Sequence, residues 1–391
     1  MTTKHSAVRR DPGYLGLTRS VAALPAADYF DAVHYQRELS QIWYRNWLYV
    51  GRSSEVREAR SFRIFTVGDQ SVLLVRAEDQ VLRAFYNTCR HRGAALCQGT
   101  YGRLPAAGIV CPYHAWRYNL RGDLVRTTSR QHADDFDPGA FSLYGLPVTE
   151  WNGCIFVALT QKPPPFEKSF DLPIDRLDAW RMGTLVVGHR SRKVIECNWK
   201  IFWENYNECL HCPGVHPQLA QLVPLFGRAL LEPKDDPQWQ DHAADKDPRY
   251  AGGLRPGATS WTLDGNPVGV PFPNLTDEDR KSGHLYLTGL PSIFIVAHLD
   301  YMRIVRLLPL GPERTEMSIE FLFLPETLAD PQRDISGAVE FTQIVMGEDA
   351  QICELNQRGL HALAHQGGVL MPEEYVIQQF QAWIRSELAR L

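Results

Sequence analysis

The stretch CRHRGAALCQGTYGRLPAAGIVCPYHAW, from Cys89, constrains this chain more than any other. Cys89-x-His91 and Cys111-x-x-His114 place two thiols and two imidazoles on two short loops, each at the end of a β-rich run. Four soft ligands in paired spacing point to a metal rather than to unconnected buried side chains. Two chemistries use such a set. Zinc takes Cys and His tetrahedrally, whereas a Rieske [2Fe–2S] centre puts two Cys on one iron and two His on the other. In the second case each loop gives one ligand to each iron, so Cys and His alternate along the chain, as they do here. Zinc ligands more often come as a close Cys pair and a close His pair. Cys97, between the loops, stands outside the pattern and reads as a packed small hydrophobe. Trp116 and Tyr118 are placed to shield a cluster or to cover a β core.

The flanking sequence gives this site its setting. SFRIFTV, SVLLVR and VLRAFYN, separated by GDQ and AEDQ, predict antiparallel hairpins. They form a small β domain closed by CIFVAL near Val157, after which QKPPPF begins an extended connection. Upstream, apolar spacing predicts a helix within 27–50 that leads into a strand near Trp47. Downstream, HLYLTGLPSIFIVAHL, YMRIVRLLPL and MSIEFLFLP predict a sizeable antiparallel sheet.

A second constellation lies in NWKIFWENYNECLHCPGVHPQL. Trp199, Phe202, Trp203 and Tyr206 recur at helical spacing and mark one buried face. Glu204, Glu208 and His211 fall on another face of the same predicted helix. Pro213 and Gly214 are expected to interrupt it and let His216 swing back beside His211. Two imidazoles with open positions need a carboxylate to complete the facial triad of a non-haem Fe(II) site. Asp349, on a predicted helix with Cys353, Asn356 and Leu360 along its face, could supply it, with Glu348 as the adjacent rival. His298, His361 and His365 have no such company.

Composition narrows the function classes. At 391 residues, 22% charged, with a formal net charge of -4, the chain has no broad attraction for nucleic acid or anionic membrane. Its start lacks an apolar signal core, and no run of about 18 apolar residues follows, so a cytoplasmic protein is expected. Eight cysteines in so long a chain fit no disulfide framework. No G-x-G-x-x-G fingerprint follows a strand, so electrons are expected from another protein.

From RNWLYVGR at Arg45 through both constellations to GEDAQICELNQRGL, the chain resembles the oxygenase (alpha) subunit of Rieske non-haem iron oxygenases. The family motif E/D-x-x-H-x4-H is met by Glu208, His211 and His216, and the distal carboxylate by Asp349. The resemblance implies an α+β fold in which an N-terminal helical segment, 1–45, packs on the catalytic domain. A β-rich Rieske domain, 46–157, and a helix-grip (START-like) catalytic domain with an antiparallel sheet, 158–391, follow. It implies a [2Fe–2S] cluster on Cys89, His91, Cys111 and His114, and Fe(II) on His211, His216 and Asp349. It also implies a homotrimer in which His114 of one subunit meets Glu208 of its neighbour, fed by a flavin and iron–sulfur reductase that draws on NADH or NADPH.

Two departures bear on the substrate. The bridging acid is usually Asp and here is Glu208, a feature of members acting on betaines and other quaternary ammonium compounds, and Leu210 stands where a tyrosine often precedes the first histidine. The implied reaction uses O2 to hydroxylate or demethylate a small molecule, with Phe202, Trp203, Tyr206, Phe294 and Tyr301 as cage candidates. The alternative is mono- or dioxygenation of an aromatic acid, with Arg303 or Arg306 as anchor, although a strand arginine is usually at the surface. A Rieske electron carrier without an oxygenase site, or a colourless zinc module, would need only the first constellation.

Overall fold

The computed structural model describes residues 9–106 and 108–390. The predicted hairpins form a five-stranded antiparallel sheet in the order Gly145–Leu146, Leu82–Tyr86, Gln70–Arg76, Ser61–Val67, Tyr101–Arg103. On its central strand, alternation with period two sends Leu73 and Val75 into a core shared with Cys89 and Cys111, while Val72 and Leu74 face the rest of the molecule. A three-stranded sheet of Ile109–Val110, Arg117–Tyr118 and Leu124–Arg126 carries the second loop. Cys154–Val157 pairs with both Val148–Trp151 and Leu48–Arg52, so the chain enters and leaves this β-rich unit on adjacent strands.

The second half is built on another five-stranded antiparallel sheet, ordered Val186–Ile195, Arg314–Phe323, Met302–Gly311, Ile293–His298, His284–Gly289. Five helices frame the site: α1 (Ala32–Glu38), α2 (Trp199–Tyr206), α3 (Cys212–Val215), α4 (Ser336–Leu360) and α5 (Tyr375–Ala389). Phe294, Val296, Val305 and Phe321 share a core with Phe341 and Val345 of α4. Ile293, Ile295, Ile304 and Leu322 pack instead with Trp180 and with Tyr49 and Phe156 of the β-rich unit. Covered on both faces, the inner strands read as continuous apolar runs rather than as an alternation.

The helix expected within 27–50 is broken. A 3-10 turn (Ala26–Tyr29), α1, and a π-helical turn (Leu39–Trp43) precede the strand Leu48–Arg52. Asp31 starts α1 afresh by accepting a hydrogen bond from the His34 amide at 2.7 Å. The wider π turn then accommodates the mixed spacing that turns Leu39, Ile42 and Trp43 inward.

A buried ion pair locks this segment to α2. Glu38 and Lys200 both have side chains 0% exposed; Lys200 Nζ donates to Glu38 Oε1 at 2.5 Å and Trp199 Nε1 donates to Oε2 at 2.8 Å. Glu38→Gln would leave the Lys200 ammonium buried without its counter-charge, and is expected to cost about 3–5 kcal/mol in urea unfolding. Burial alone would raise the Glu38 carboxyl, but Lys200 holds it below its ordinary 4.5. A folded-state value below the unfolded one gives stability that is present above about pH 4.5 and is lost as pH falls through the lowered value. The variant should lack that acid-dependent part of the unfolding profile.

Candidate active site

The two ligand loops fold alike. Cys89 N donates to Ala94 O and Cys89 O accepts from Gly93 N; Cys111 N donates to Trp116 O and Cys111 O accepts from Ala115 N. Gly93 (φ 77°) and Ala115 (φ 53°) close them in the left-handed region, which is easy for glycine and costly for alanine. The result sets His91 beside His114, with ring centroids 4.7 Å apart at 73°. Cys89 and Cys111 lie buried beneath, their thiols free.

The surroundings of these four residues fit a cluster. Burial raises the Cys111 thiol against the opposing effect of the His114 and Tyr113 amides, and Tyr118 Oη lies 3.2 Å from Cys89 Sγ. Trp116 stacks on His91 at 4.7 Å and 9°. The buried His114 Nδ1 has no hydrogen-bond partner among the described residues. An orphaned imidazole nitrogen beside two free buried thiols is what an iron–sulfur ligand set requires. Cys97 stands apart and packs on the same core, its thiol pushed up to about 11 by burial.

The second constellation departs from its sequence reading. Helix α2 ends at Tyr206, so Glu204, Glu208 and His211 share no helical face. The Glu208 carboxylate itself accepts from the Leu210 and His211 amides and draws 208–211 into a turn. Pro213 and Gly214, expected to break the helix, lie inside the short α3 instead. Glu204 points away from the histidines. It accepts from Tyr29 Oη at 2.8 Å and Gln381 Nε2 at 2.9 Å, and burial raises its carboxyl to about 7. An overlapping turn, in which Cys212 N donates to Cys209 O at 3.1 Å, brings the Cα atoms of Cys209 and Cys212 to 4.9 Å, and the two are joined by a disulfide that the cysteine count gave no reason to expect.

The same segment brings two imidazoles up to a carboxylate of α4. Asp349 Oδ1 lies 3.5 Å from His211 Nε2 and 2.9 Å from His216 Nε2, and one ligand atom from each residue falls within 4.8 Å of the others. The outer ring nitrogens are held by carboxylates: His211 Nδ1 by Glu208 Oε1 at 2.5 Å, His216 Nδ1 by Glu348 Oε2 at 2.8 Å. Such outer partners fix tautomer and ring orientation at metal sites. Glu348, the rival to Asp349, thus sits behind His216. Burial pulls the His211 pKa down, but hydrogen bonds to Asp349 and Glu208 outweigh it and raise it to about 9. A metal ion in that position would displace the proton. On α4 the buried stripe runs Asp349, Cys353, Gln357, and Asn356 is exposed.

His211, His216 and Asp349 open on a cavity of about 250 Å³ walled by Tyr206, Phe226, Trp261, Tyr286, Phe294 and Met346. Of the expected cage residues, Tyr206 and Phe294 line it, whereas Phe202, Trp203 and Tyr301 are buried in the core behind. Arg303 lines it as well. Arg306 faces the β-rich unit, donating to Val50 O and pairing with Glu316. Sequence reasoning missed His284, Tyr286 and Trp261. The first two alternate on one strand face, a period-two signal that was available. Trp261 sits in an irregular loop with no period, held by Tyr301 Oη donating to its carbonyl and by Asp300 accepting from Ser260 Oγ and the Val268 and Gly269 amides.

Residues 46–137 match the Rieske [2Fe-2S] domain, and residues 182–390, more than half the chain, match the ring hydroxylating alpha subunit (catalytic domain). The chain belongs to the ring-hydroxylating Rieske oxygenase family. It is an oxidoreductase whose two domains imply a Rieske cluster and a mononuclear iron. This Rieske oxygenase is 29% identical to the glycine betaine monooxygenase oxygenase subunit of Chromohalobacter salexigens, over 88% of this chain and 81% of that protein. It is 28% identical to the carnitine monooxygenase oxygenase subunit of Acinetobacter baumannii, over 93% and 92%. The choline monooxygenase of Beta vulgaris is 26% identical, over 93% and 76%. In fold it matches the quaternary ammonium Rieske monooxygenase CntA with a TM-score of 0.73 at 22% identity, over 97% and 99% of the two chains. Naphthalene 1,2-dioxygenase from Rhodococcus follows at 0.67 and 19%, over 94% of each. No helix among the described residues of this Rieske oxygenase is long and apolar enough to cross a membrane.

Proposed function

We propose that this chain is the oxygenase component that oxidises an N-methyl or similar alkyl group of a small quaternary ammonium compound. The observation that carries this reading is an aromatic-walled cavity abutting a two-histidine, one-carboxylate set. Relatives named for glycine betaine, carnitine and choline support it. Cys89, His91, Cys111 and His114 hold the [2Fe–2S] cluster; His211, His216 and Asp349 hold Fe(II). When bound, these groups supply electron storage and oxygen activation. The N-terminal segment spans 1–45, the Rieske domain 46–157 and the catalytic domain 158–391.

The chain's own residues supply recognition and placement. Tyr206, Tyr286 and Phe294 line the cavity with aromatic rings that exclude water, and an aromatic face attracts a cation by about 0.5–2 kcal/mol. Glu208 and Glu348 orient the two imidazoles. Hydroxylation of a carbon bonded to nitrogen gives a product that loses an aldehyde, so the net outcome is dealkylation. Electrons come from a flavin and iron–sulfur reductase using NADH or NADPH. In a homotrimer, Glu208 also meets His114 of the neighbouring subunit. The setting is the cytoplasm.

Arg303 in the cavity wall favours a second reading, hydroxylation of an aromatic acid by mono- or dioxygenation. Electron paramagnetic resonance of the Fe(II)–nitric oxide adduct, titrated with glycine betaine, γ-butyrobetaine, choline and benzoate, separates the two. The ammonium compounds are expected to shift the signal. A shift with benzoate alone would install the aromatic reading, and no nitrosyl signal from metal-replete protein would leave only an electron carrier.

A further inference from the structure

We propose that Arg303 is an anion anchor and that the substrate is a zwitterion, with a carboxylate as well as a quaternary nitrogen; this rests on the ammonium reading above. Arg303 is only 5% exposed, yet it lines the cavity. Its side-chain hydrogen bonds go to neutral acceptors: Nε donates to His298 Nε2 at 3.2 Å and one Nη to Thr342 Oγ1 at 3.3 Å. No carboxylate among the described residues forms an ion pair with it, and the acids nearby are engaged elsewhere. Asp349 and Glu208 face the histidines, and Asp171 accepts from the Thr288 amide at 2.8 Å. A permanent charge kept in the interior without a counter-charge is costly. A substrate carboxylate removes that cost on binding, and a planar guanidinium is suited to receive it.

A second, independent feature points the same way. Trp261, 2% exposed and in the cavity wall, has a buried indole Nε1 with no hydrogen-bond partner among the described residues. The Arg303 guanidinium lies 5.8 Å from the centre of that indole ring. A charged donor and an unused neutral donor therefore border one corner of the cavity. His298 adds no charge there, because burial and then Arg303 hold its pKa well below 6.5.

The corner is set apart from the iron ligands. Thr342, which accepts from Arg303, and Asp349 are separated by two turns of α4, about 10 Å along the axis, with Val345 and Met346 lining the cavity between them. A small zwitterion can place its carboxylate at Arg303 and its alkylated nitrogen beside Tyr206 and Phe294, toward His211 and His216. Choline, which has a hydroxyl in place of the carboxylate, leaves Arg303 unpaired.

The test is calorimetric titration of the anaerobic, metal-loaded protein with glycine betaine, γ-butyrobetaine, choline and benzoate. At least one betaine should bind tenfold or more tighter than choline, a comparison that needs no variant. Arg303→Gln, checked for an unchanged cluster spectrum and thermal midpoint, should weaken that betaine by about 30-fold or more and leave choline within about threefold; Arg303→Lys should recover part of the loss. Choline binding as tightly as both betaines, or a betaine bound equally by Arg303→Gln, would overturn the zwitterion inference and leave the ammonium reading standing. Binding of benzoate but of no ammonium compound would remove both.

Discussion

Asp349→Ala is expected to reduce mononuclear iron to below about a tenth of an atom per chain and to abolish turnover, while the visible spectrum of the [2Fe–2S] cluster stays intact. Asp349 gives the only carboxylate among the described residues whose oxygen faces both His211 Nε2 and His216 Nε2, at 3.5 and 2.9 Å. Without it two neutral imidazoles remain, and loss of an outer-shell partner alone already costs about 10–100-fold in metal affinity. Glu348→Gln is the matched control. Its carboxylate reaches His216 from the far side, at Nδ1, so the variant should fall only in that milder range. Iron and cluster analysis of the two purified variants decides the matter. An Asp349→Ala protein that keeps a full complement of iron would pass the ligand role to Glu348.

Glu208→Gln, loaded with excess iron to offset the weaker metal binding expected on losing an outer-shell carboxylate, should slow oxidation of the reduced cluster in a single turnover by about 100-fold. Glu208 Oε1 holds His211 Nδ1 at 2.5 Å, and its Oε2 accepts from the Leu210 amide. An amide side chain can preserve that turn through its one oxygen but not the negative charge. The substitution therefore separates positioning from electrostatics. Glu208→Asp keeps the charge one methylene shorter and should recover part of the rate. Rapid-mixing absorbance of the cluster is the readout, and wild-type rates in Glu208→Gln would leave Glu208 as no more than a cap on its own turn.

Several elements were legible because the information is local. The hairpins show in their alternation and turns, and the two cluster loops place each cysteine and histidine within three residues of each other. The pairing of His211 with His216 is likewise confined to one short span. Legibility failed where a polar side chain overrode a period. The helical register that aligned Glu204, Glu208 and His211 was sound arithmetic, but the helix stops at Tyr206 and Glu208 caps the 208–211 turn beyond it. The Cys209–Cys212 bond spans the overlapping turn closed by Cys212 N and Cys209 O.

Other features belong to the assembled molecule. A strand arginine is ordinarily exposed; Arg303 is interior because its sheet is covered on both faces, by α4 on one and by the β-rich unit on the other. Asp349 and Glu348 are neighbours about 100° apart around a helix, so which one meets the histidine Nε2 atoms depends on how α4 is rotated against the sheet. Trp261 enters the cavity through a loop whose course is set by hydrogen bonds to Asp300 and Tyr301. The sequence by itself determined the kinds of ligand available and the loops and hairpins that present them, because those depend on side-chain chemistry and spacing over a few residues. Only the tertiary structure decided which atoms face one another across the sequence separation of 133 between His216 and Asp349, and which charge lies in the cavity, because those depend on how separately formed elements pack.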